Sequence, residues 1–424
     1  MQIVLNPEQA SWPDLLKRPA NDTAPLERSV SRILKAVRSR GDTAVRKYTL
    51  EFDKVRLRKL EVSQKEIKLA SASIDPDLKK AILQAADNIR KFHALQQQGG
   101  EQTETMPGIF CSRKAVAIQH VGLYIPGGSA PLFSTILMLG IPAVIAGCKN
   151  IVLCSPPSPD GTLHPAILFA ADAVGIKKIY KAGGVQAIGA MAYGTASIPK
   201  VDKIFGPGNQ YVTLAKQMVQ QDGVAIDMPA GPSEVCVLAD ASAEPAYIAS
   251  DLLSQAEHGP DSQVLLVSTS ESLVHNVIRK IGEQMKKLPR KAIAEKALLN
   301  SRAIVIDNID KAMDLVNAYA AEHLIISCVD HHELAEKVVN AGSVFLGNYS
   351  PESVGDYASG TNHTLPTHGY ARAYSGVSVD SFVKKITFQE LTREGLERIS
   401  KTVITMAEHE GLQAHAEAVR QRLK

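Results

Sequence analysis

At 424 residues the chain is longer than one ordinary hydrophobic core organises, so two or three domains are expected. Its 47 basic and 44 acidic residues nearly cancel, which removes the charge argument for nucleic acid or an anionic membrane as partner. Five cysteines (Cys111, Cys148, Cys154, Cys236 and Cys328) are odd in number and lack CxxC spacing, against both a disulfide framework and a thiolate zinc site.

Along the chain, the opening MQIVLNPEQASW lacks the basic region and apolar core of a secretory signal, so a cytoplasmic protein with a short N-terminal arm over 1–24 is expected. Residues 25–100 carry charges at helical spacing, as in LERSVSRILKAVRSRGDTAVRKYTLEFD, and read as helices with solvated faces. Residues 121–148 carry no charge, yet Pro126, Gly127, Gly128, Pro131, Gly140 and Pro142 interrupt them. No apolar run reaches the roughly 20 residues of a membrane span, so a buried helix after a glycine-rich loop is expected.

From about 115 the pattern becomes β-branched runs alternating with helices. VAIQHVGLYIP, NIVLCS, KKIYKAG and VDKIFG read as strands; STILMLGIPAVIAG, HPAILFAADAVG and VQAIGAMAYG read as helices between them. The order then repeats. SEVCVLAD, SQVLLVS, RAIVID and HLIISCV are the strands, with EPAYIASDLLSQAEHG, LVHNVIRKIGEQMKKL and NIDKAMDLVNAYAAE as the helices. The fold expected is therefore α/β: two similar, incomplete Rossmann-like (doubly wound) units with a helical N-terminal region and a helical C-terminal tail. From about 375 the tail reads as helical to its end, without another strand, an appendage for its own chain or a partner subunit.

Chemistry concentrates where strands meet helices. Three glycine-rich loops (YIPGGSAPLFST, KAGGVQAIGAMAYG and FGPGNQYVT) each join a strand to a helix, although none spells GxGxxG. Three such loops on one sheet edge suggest a large phosphate-bearing ligand. In DLLSQAEHGPDS, Gln255 and His258 are three apart and share one helical face, offering an amide oxygen and an imidazole nitrogen to a metal, or simply a polar helix end. Glu257 points about 100° away from His258 and reads as structural. Ser233 sits in a turn, as a cap or facing a cleft between the units. In AEHLIISC, Glu322 and His323 fall at a helix-to-strand junction as a candidate general-base pair. The glycine-rich loop SVGDYASGTNHTLPTHG carries Asp356, His363 and His368, and EHEGLQAH places Glu410 and His415 in the tail.

Taken jointly, IDMPAGPSEV, LLSQAEHG, YIPGG, GGVQAIGAMAYG, FGPGN, AEHL, GDYASGTNH and EHEGLQAH resemble the histidinol dehydrogenase family over roughly 20–424. That resemblance implies oxidation of L-histidinol through L-histidinal to L-histidine with two NAD, the last step of histidine biosynthesis. It implies one zinc per subunit on Gln255, His258, Asp356 and His415, with Glu322 and His323 as acid–base residues. NAD contacts are implied at Tyr124, Gln186 and Asn209. Substrate contacts are implied at Ser233, His363 and Glu410, together with Gln255, His258, His323, Asp356 and His415. It further implies a homodimer whose tail (375–424) reaches the partner's active site. On this reading 121–232 is the NAD-binding domain, while 25–120 and 233–374 form the domain with the metal and acid–base residues. Two rivals are weaker: cysteine-dependent aldehyde oxidation, for which only Cys111 has a cation nearby, and a non-catalytic metabolite-binding protein, which has no use for Glu322, His323 and the ligand set together.

Overall fold

Local capping explains why the first quarter is helical. Ser63 and Glu66 cap each other at the start of the helix Gln64–Ser73, and Asp75 accepts the N–H groups of Asp77 and Leu78 ahead of the helix Pro76–Ala94. With Ala24–Arg40 and Asp42–Phe52, these helices fill most of the stretch expected to be helical. The computed structural model describes residues 1–19, 24–97, 99–127, 131–229 and 231–424. Gly128 of the first glycine loop and Ala230 of IDMPAGPSEV lie outside the described residues.

In chain order the strands are β1 (Gln2–Leu5), β2 (Glu101–Met106), β3 (Ile109–Ala117), β4 (His120–Tyr124) and β5 (Asn150–Ser155). Next come β6 (Lys178–Lys181), β7 (Lys203–Phe205), β8 (Ala225–Ile226), β9 (Glu234–Ala239) and β10 (Gln263–Ser268). β11 (Arg302–Val305), β12 (Ala321–Ser327), β13 (Ala341–Leu346) and β14 (Val383–Leu391) complete the series. One all-parallel sheet runs β6-β5-β4-β7-β8 and another runs β11-β10-β9-β12-β13, with β1 added parallel outside β11. Numbered within each unit, both orders are 3-2-1-4-5, the doubly wound order short of its sixth strand. The α/β duplication expected from the alternation is therefore present in the topology itself. Strands such as β9 and β10 are buried along their whole length, as parallel strands covered on both faces must be.

Other expectations change. The stretch from 375 is not purely helical: β14 pairs antiparallel with β3 from Val383↔Ala117 to Leu391↔Ile109, and β2 pairs on the other side of β3. β14 is almost wholly exposed, so it is held by backbone pairing and leaves no buried stripe for a sequence pattern to report. VAIQHVGLYIP is not one strand; its first two residues end β3, and β4 begins at His120. The loop from 353 opens instead with a short helix, Glu352–Tyr357. Nor do the apolar cores divide as 25–120 with 233–374. Val30, Val37, Ile82 and Ile89 pack with Leu123, Ile136 and Ile188 of the first unit, whereas Trp12 and Leu16 of the N-terminal arm pack with Leu238 and Leu324 of the second.

A buried ion pair fixes the last glycine loop. Lys216 Nζ lies 2.5 Å from Asp227 Oδ1 and 2.8 Å from the Gly206 carbonyl, while Gly206 N–H donates to Asp227 Oδ2 at 2.8 Å. Gly206 is irreplaceable there, since its φ is +124° and a Cβ would fall 2.0 Å from the Tyr124 carbonyl oxygen. Lys216→Met should therefore leave Asp227 buried and unpaired and cost ~3–5 kcal/mol of stability, read as a shift in urea midpoint. A midpoint within error of wild type would mean that Asp227 is neutral or solvated in the folded state.

Candidate active site between two sheet edges

The two units do not use the same edge. In the first, Tyr124 ends β4, Gln186 follows β6 and Asn209 follows β7, so all three lie at the carboxyl edge of the sheet. The Gly184 N–H donates to the Tyr124 hydroxyl at 3.0 Å, tying the strand end to the start of the helix Gly184–Tyr193, and burial pushes the phenol up to about 12. Asn209 caps the helix Gln210–Gln221 through its Oδ1. The Gln186 side-chain oxygen is buried without a hydrogen-bond partner. These three residues line one cavity of about 740 Å³, within the range of small-molecule and cofactor sites.

The second unit presents its amino edge. Ser233 precedes β9, and Glu322 and His323 open β12, with His323 level with Val235. The junction expected at Glu322–His323 is abrupt: Ala320, at φ +55°, stops the helix Ile309–Tyr319 and the strand begins at the next residue. The helix Pro245–Ala256 runs back to the same edge and ends one residue before Glu257. His258 lies in the following turn, where its N–H still donates to the Gln255 carbonyl at 3.2 Å. His258, Ser233 and Asn209 line a second cavity of about 620 Å³, so the two edges face one another.

A buried cluster sits beside this cleft. His323 Nδ1 is 3.2 Å from the Glu234 carbonyl oxygen, and its Nε2 is 3.3 Å from Asp356 Oδ1. Glu322 and Glu352 approach Nδ1 at 3.6 and 3.9 Å. Burial opposes charge on this imidazole, but the carboxylates of Glu322 and Asp356 outweigh it and raise its pKa well above the ordinary value. Asp356 is partly buried, which opposes its charge, yet the hydrogen bond and charge of His323 hold its carboxyl below the usual range. Glu352, desolvated and faced by other carboxylates, is pushed up to about 8. One residue anchors the pair: the Glu234 N–H donates to Glu322 Oε2 at 2.8 Å while its carbonyl holds His323. The Glu234 carboxylate is in turn gripped by Arg18 at 2.5 and 2.8 Å and accepts the His368 N–H at 2.7 Å.

Glu352 and Asp356 stand four apart on their short helix and so share a face. Gln255 donates its amide N–H to Glu352, and Ser254 Oγ donates to the same carboxylate at 2.6 Å. The side-chain amide oxygen of Gln255, Oε1, is buried with no partner. His363 bridges the units, with Nδ1 2.8 Å from the Asp356 carbonyl oxygen and Nε2 3.1 Å from Thr135 Oγ1 in the first unit's buried helix. Among the described residues the one group of His, Cys, Asp and Glu placed to share a metal is His323, Glu352 and Asp356, of which the expected ligand set contains only Asp356.

Not every expected residue converges here. Glu410 caps the helix Arg393–His409, and His415 lies on Gln413–Leu423; both are exposed, and among the described residues no hydrogen bond or ion pair joins either to the cluster. The sequence reading missed Glu352, Glu234 and Arg18. Glu352 had a signal, its spacing of four from Asp356; the other two became legible only through tertiary contact. The cysteine rival fails at this point. Cys154, Cys236 and Cys328 are buried, desolvation raises all three thiols, and no cysteine lines either cavity.

Two doubly wound sheets whose facing edges border two cavities and a buried imidazole–carboxylate cluster suit proton-transfer chemistry on a small molecule. Similarity to known proteins narrows the class. The histidinol dehydrogenase family model matches residues 16–423. A histidinol dehydrogenase from Bacteroides thetaiotaomicron is 58% identical over 423 residues, covering 100% of this chain and 99% of that one. One from Xylella fastidiosa is 51% identical over 418 residues, covering 98% and 97%. The crystal structure of histidinol dehydrogenase from Elizabethkingia anophelis matches with a TM-score of 0.98 at 54% identity, covering 100% of this chain and 98% of that one. The chain belongs to the histidinol dehydrogenase family.

Proposed function

We propose that this protein oxidises L-histidinol to L-histidine through L-histidinal, using zinc and two molecules of NAD, as the last step of histidine biosynthesis. The observation that carries the metal is the side-chain oxygen of Gln255, Oε1, buried without a donor while Glu352 fixes the amide nitrogen. A buried acceptor with no partner costs stability unless an electrophile meets it, and zinc accepts oxygen and imidazole ligands. Gln255, His258 and Asp356 would hold it, with His415 of a second subunit as the fourth ligand. Glu352 orients the amide of Gln255 from behind, the usual service of a group outside the ligand set.

When bound, zinc supplies a cationic anchor for the substrate and NAD a hydride acceptor. The chain's own residues do the rest. Once Asp356 turns from Nε2 to the metal, His323 loses one of the carboxylates that favour its protonated form; steadied at Nδ1 by the Glu234 carbonyl, it takes the hydroxyl proton of histidinol through Nε2 as the hydride leaves C1. Glu322 then orients a water that adds to the aldehyde. His323, having passed its first proton to solvent, takes a second from the resulting diol as the second hydride departs, leaving the carboxylic acid of histidine, which ionises to solvent. Ser233, His363 and Glu410 hold the substrate, and Tyr124, Gln186 and Asn209 line the NAD cavity.

The same reading makes 121–232 the NAD unit and 233–374 the metal and acid–base unit. It makes the active form a cytoplasmic homodimer, neither membrane-bound nor a partner of nucleic acid. Among the described residues no helix is long and apolar enough to cross a membrane. The test is chelation. A strong chelator should abolish NADH formation from histidinol, zinc should restore it, and the circular dichroism of the apo-protein should stay native because both units keep full apolar cores. Undiminished turnover after verified metal removal would refute the zinc assignment.

A further inference from the structure

A neighbour on the adjacent strand holds both Glu322 and His323. Glu234, the first residue of β9, donates its N–H to Glu322 Oε2 at 2.8 Å and meets His323 Nδ1 with its carbonyl at 3.2 Å. The ladder between β9 and β12 begins only at His323↔Val235, so Glu322 stands ahead of it and lacks that support. The placement of the pair therefore depends on the start of β9 and on the turn that delivers β12.

One guanidinium grips both. Arg18, 216 positions before Glu234 in the chain, meets Glu234 Oε1 through Nε at 2.5 Å and Oε2 through Nη2 at 2.8 Å. The same Nη2 donates to the Tyr319 carbonyl at 2.8 Å, and the guanidinium lies 4.2 Å from the centre of the Tyr319 ring. Tyr319 ends its helix, Ala320 turns the chain at φ +55°, and Glu322 follows two residues later. The arm that carries Arg18 is itself seated. Trp12 and Leu16 sit in the second unit's core, and Gln263 links the Lys17 carbonyl at 3.0 Å to the Tyr319 hydroxyl at 2.9 Å. Arg18 lines neither cavity of the cleft, so its reach to the chemistry runs through Glu234 and Tyr319.

We infer that Arg18 is a positioning residue: it ties the start of β9 to the turn before β12 and so fixes the placement of Glu322 and His323 for both oxidation steps. The inference rests on the acid–base reading above and adds the N-terminal arm to the working parts of the site. The plainer alternative is that Arg18 only neutralises a buried carboxylate. Burial pushes the Glu234 carboxyl up and Arg18 opposes that rise, so deleting Arg18 alone would disturb both roles at once. A point charge tells them apart. Lysine neutralises a carboxylate but lacks the planar fork that clasps two oxygens and a carbonyl together. A displacement of about 1 Å at a reacting group costs roughly 10²-fold in rate.

Two variants of the zinc-loaded, full-length protein test this. Arg18→Lys keeps the charge and gives up the fork. Arg18→Met combined with Glu234→Gln removes both charges and keeps an acceptor for the His368 N–H, and it covers the case in which the lysine variant does not fold. Melting curves should show each folded at the assay temperature, and calorimetry without NAD should give each an unchanged Kd for histidinol. Single-turnover NADH formation at saturating substrate should fall roughly 10- to 100-fold, for histidinol and histidinal alike. A wild-type rate in either folded variant would overturn the inference, because the clasp would then be dispensable. So would a loss of rate matched by an equal loss of histidinol affinity, the mark of a generally disturbed site. Failure of the wild-type protein to oxidise histidinol would instead overturn the functional reading itself.

Discussion

His323→Asn should lower both oxidation steps by about 10²-fold or more, the loss expected for a general base, whereas Glu322→Gln should separate them. The separation follows from what each side chain holds. His323 Nδ1 is committed to the Glu234 carbonyl, so proton exchange falls to Nε2, which Asp356 Oδ1 meets at 3.3 Å and must release to an incoming ligand. Each oxidation releases one proton from a substrate oxygen, so losing this base harms both. Glu322 instead accepts the Glu234 N–H, and on the proposed mechanism its charge acts on a water that only the aldehyde step consumes. Gln at 322 retains an acceptor for that N–H and removes the charge, so alcohol oxidation should survive better than aldehyde oxidation. Supplying histidinol and histidinal separately and following NADH in single turnovers reads the two steps apart. Equal damage to both steps in both variants would remove the division of labour. The histidine variant also leaves Glu322, Glu352 and Asp356 facing one another without a cation, so its melting curve must be recorded beside its rate.

Both sheets were legible because a buried parallel strand must be apolar, and each alternation of β-branched run and amphipathic helix marks one crossover. The glycine loops and the pair Glu322–His323 were legible for a related reason: they fall at element ends, where chain geometry restricts residue type. What escaped the reading has no such local constraint. β14 and β3 pair across more than 260 positions of chain, and β14 hides almost nothing, so neither a burial pattern nor a turn announces the pairing. β1 extends a sheet whose nearest strand, β11, lies 300 residues onward. The apolar stripe of Ala24–Arg40 shows that the helix is covered, but not which of two similar sheets covers it. Arg18 and Glu234 look like ordinary surface charges until the fold buries them together at 2.5 Å.

The tail carries the last prediction. His415 is exposed on the helix Gln413–Leu423, whose buried residue is Ala416, and nothing brings it to the cluster of its own chain. Ile386 and Phe388 on β14 and Met406 and Leu412 in the tail are exposed as well. If the tail serves a partner, each site takes Gln255, His258, Asp356, Glu322 and His323 from one chain and Glu410 and His415 from the other. A two-fold axis makes the exchange reciprocal. His323→Ala and His415→Ala should each be inactive alone. Mixed in equal amounts under conditions that allow subunit exchange, half of the dimers pair one variant with the other. In such a dimer one site carries both lesions and the other carries neither, so activity should rise toward about a quarter of wild type. Exchange is verified by mass spectrometry of differently tagged chains. A mixture that stays inactive after verified exchange would mean that His415 acts within its own chain, and the shared-site reading would be abandoned.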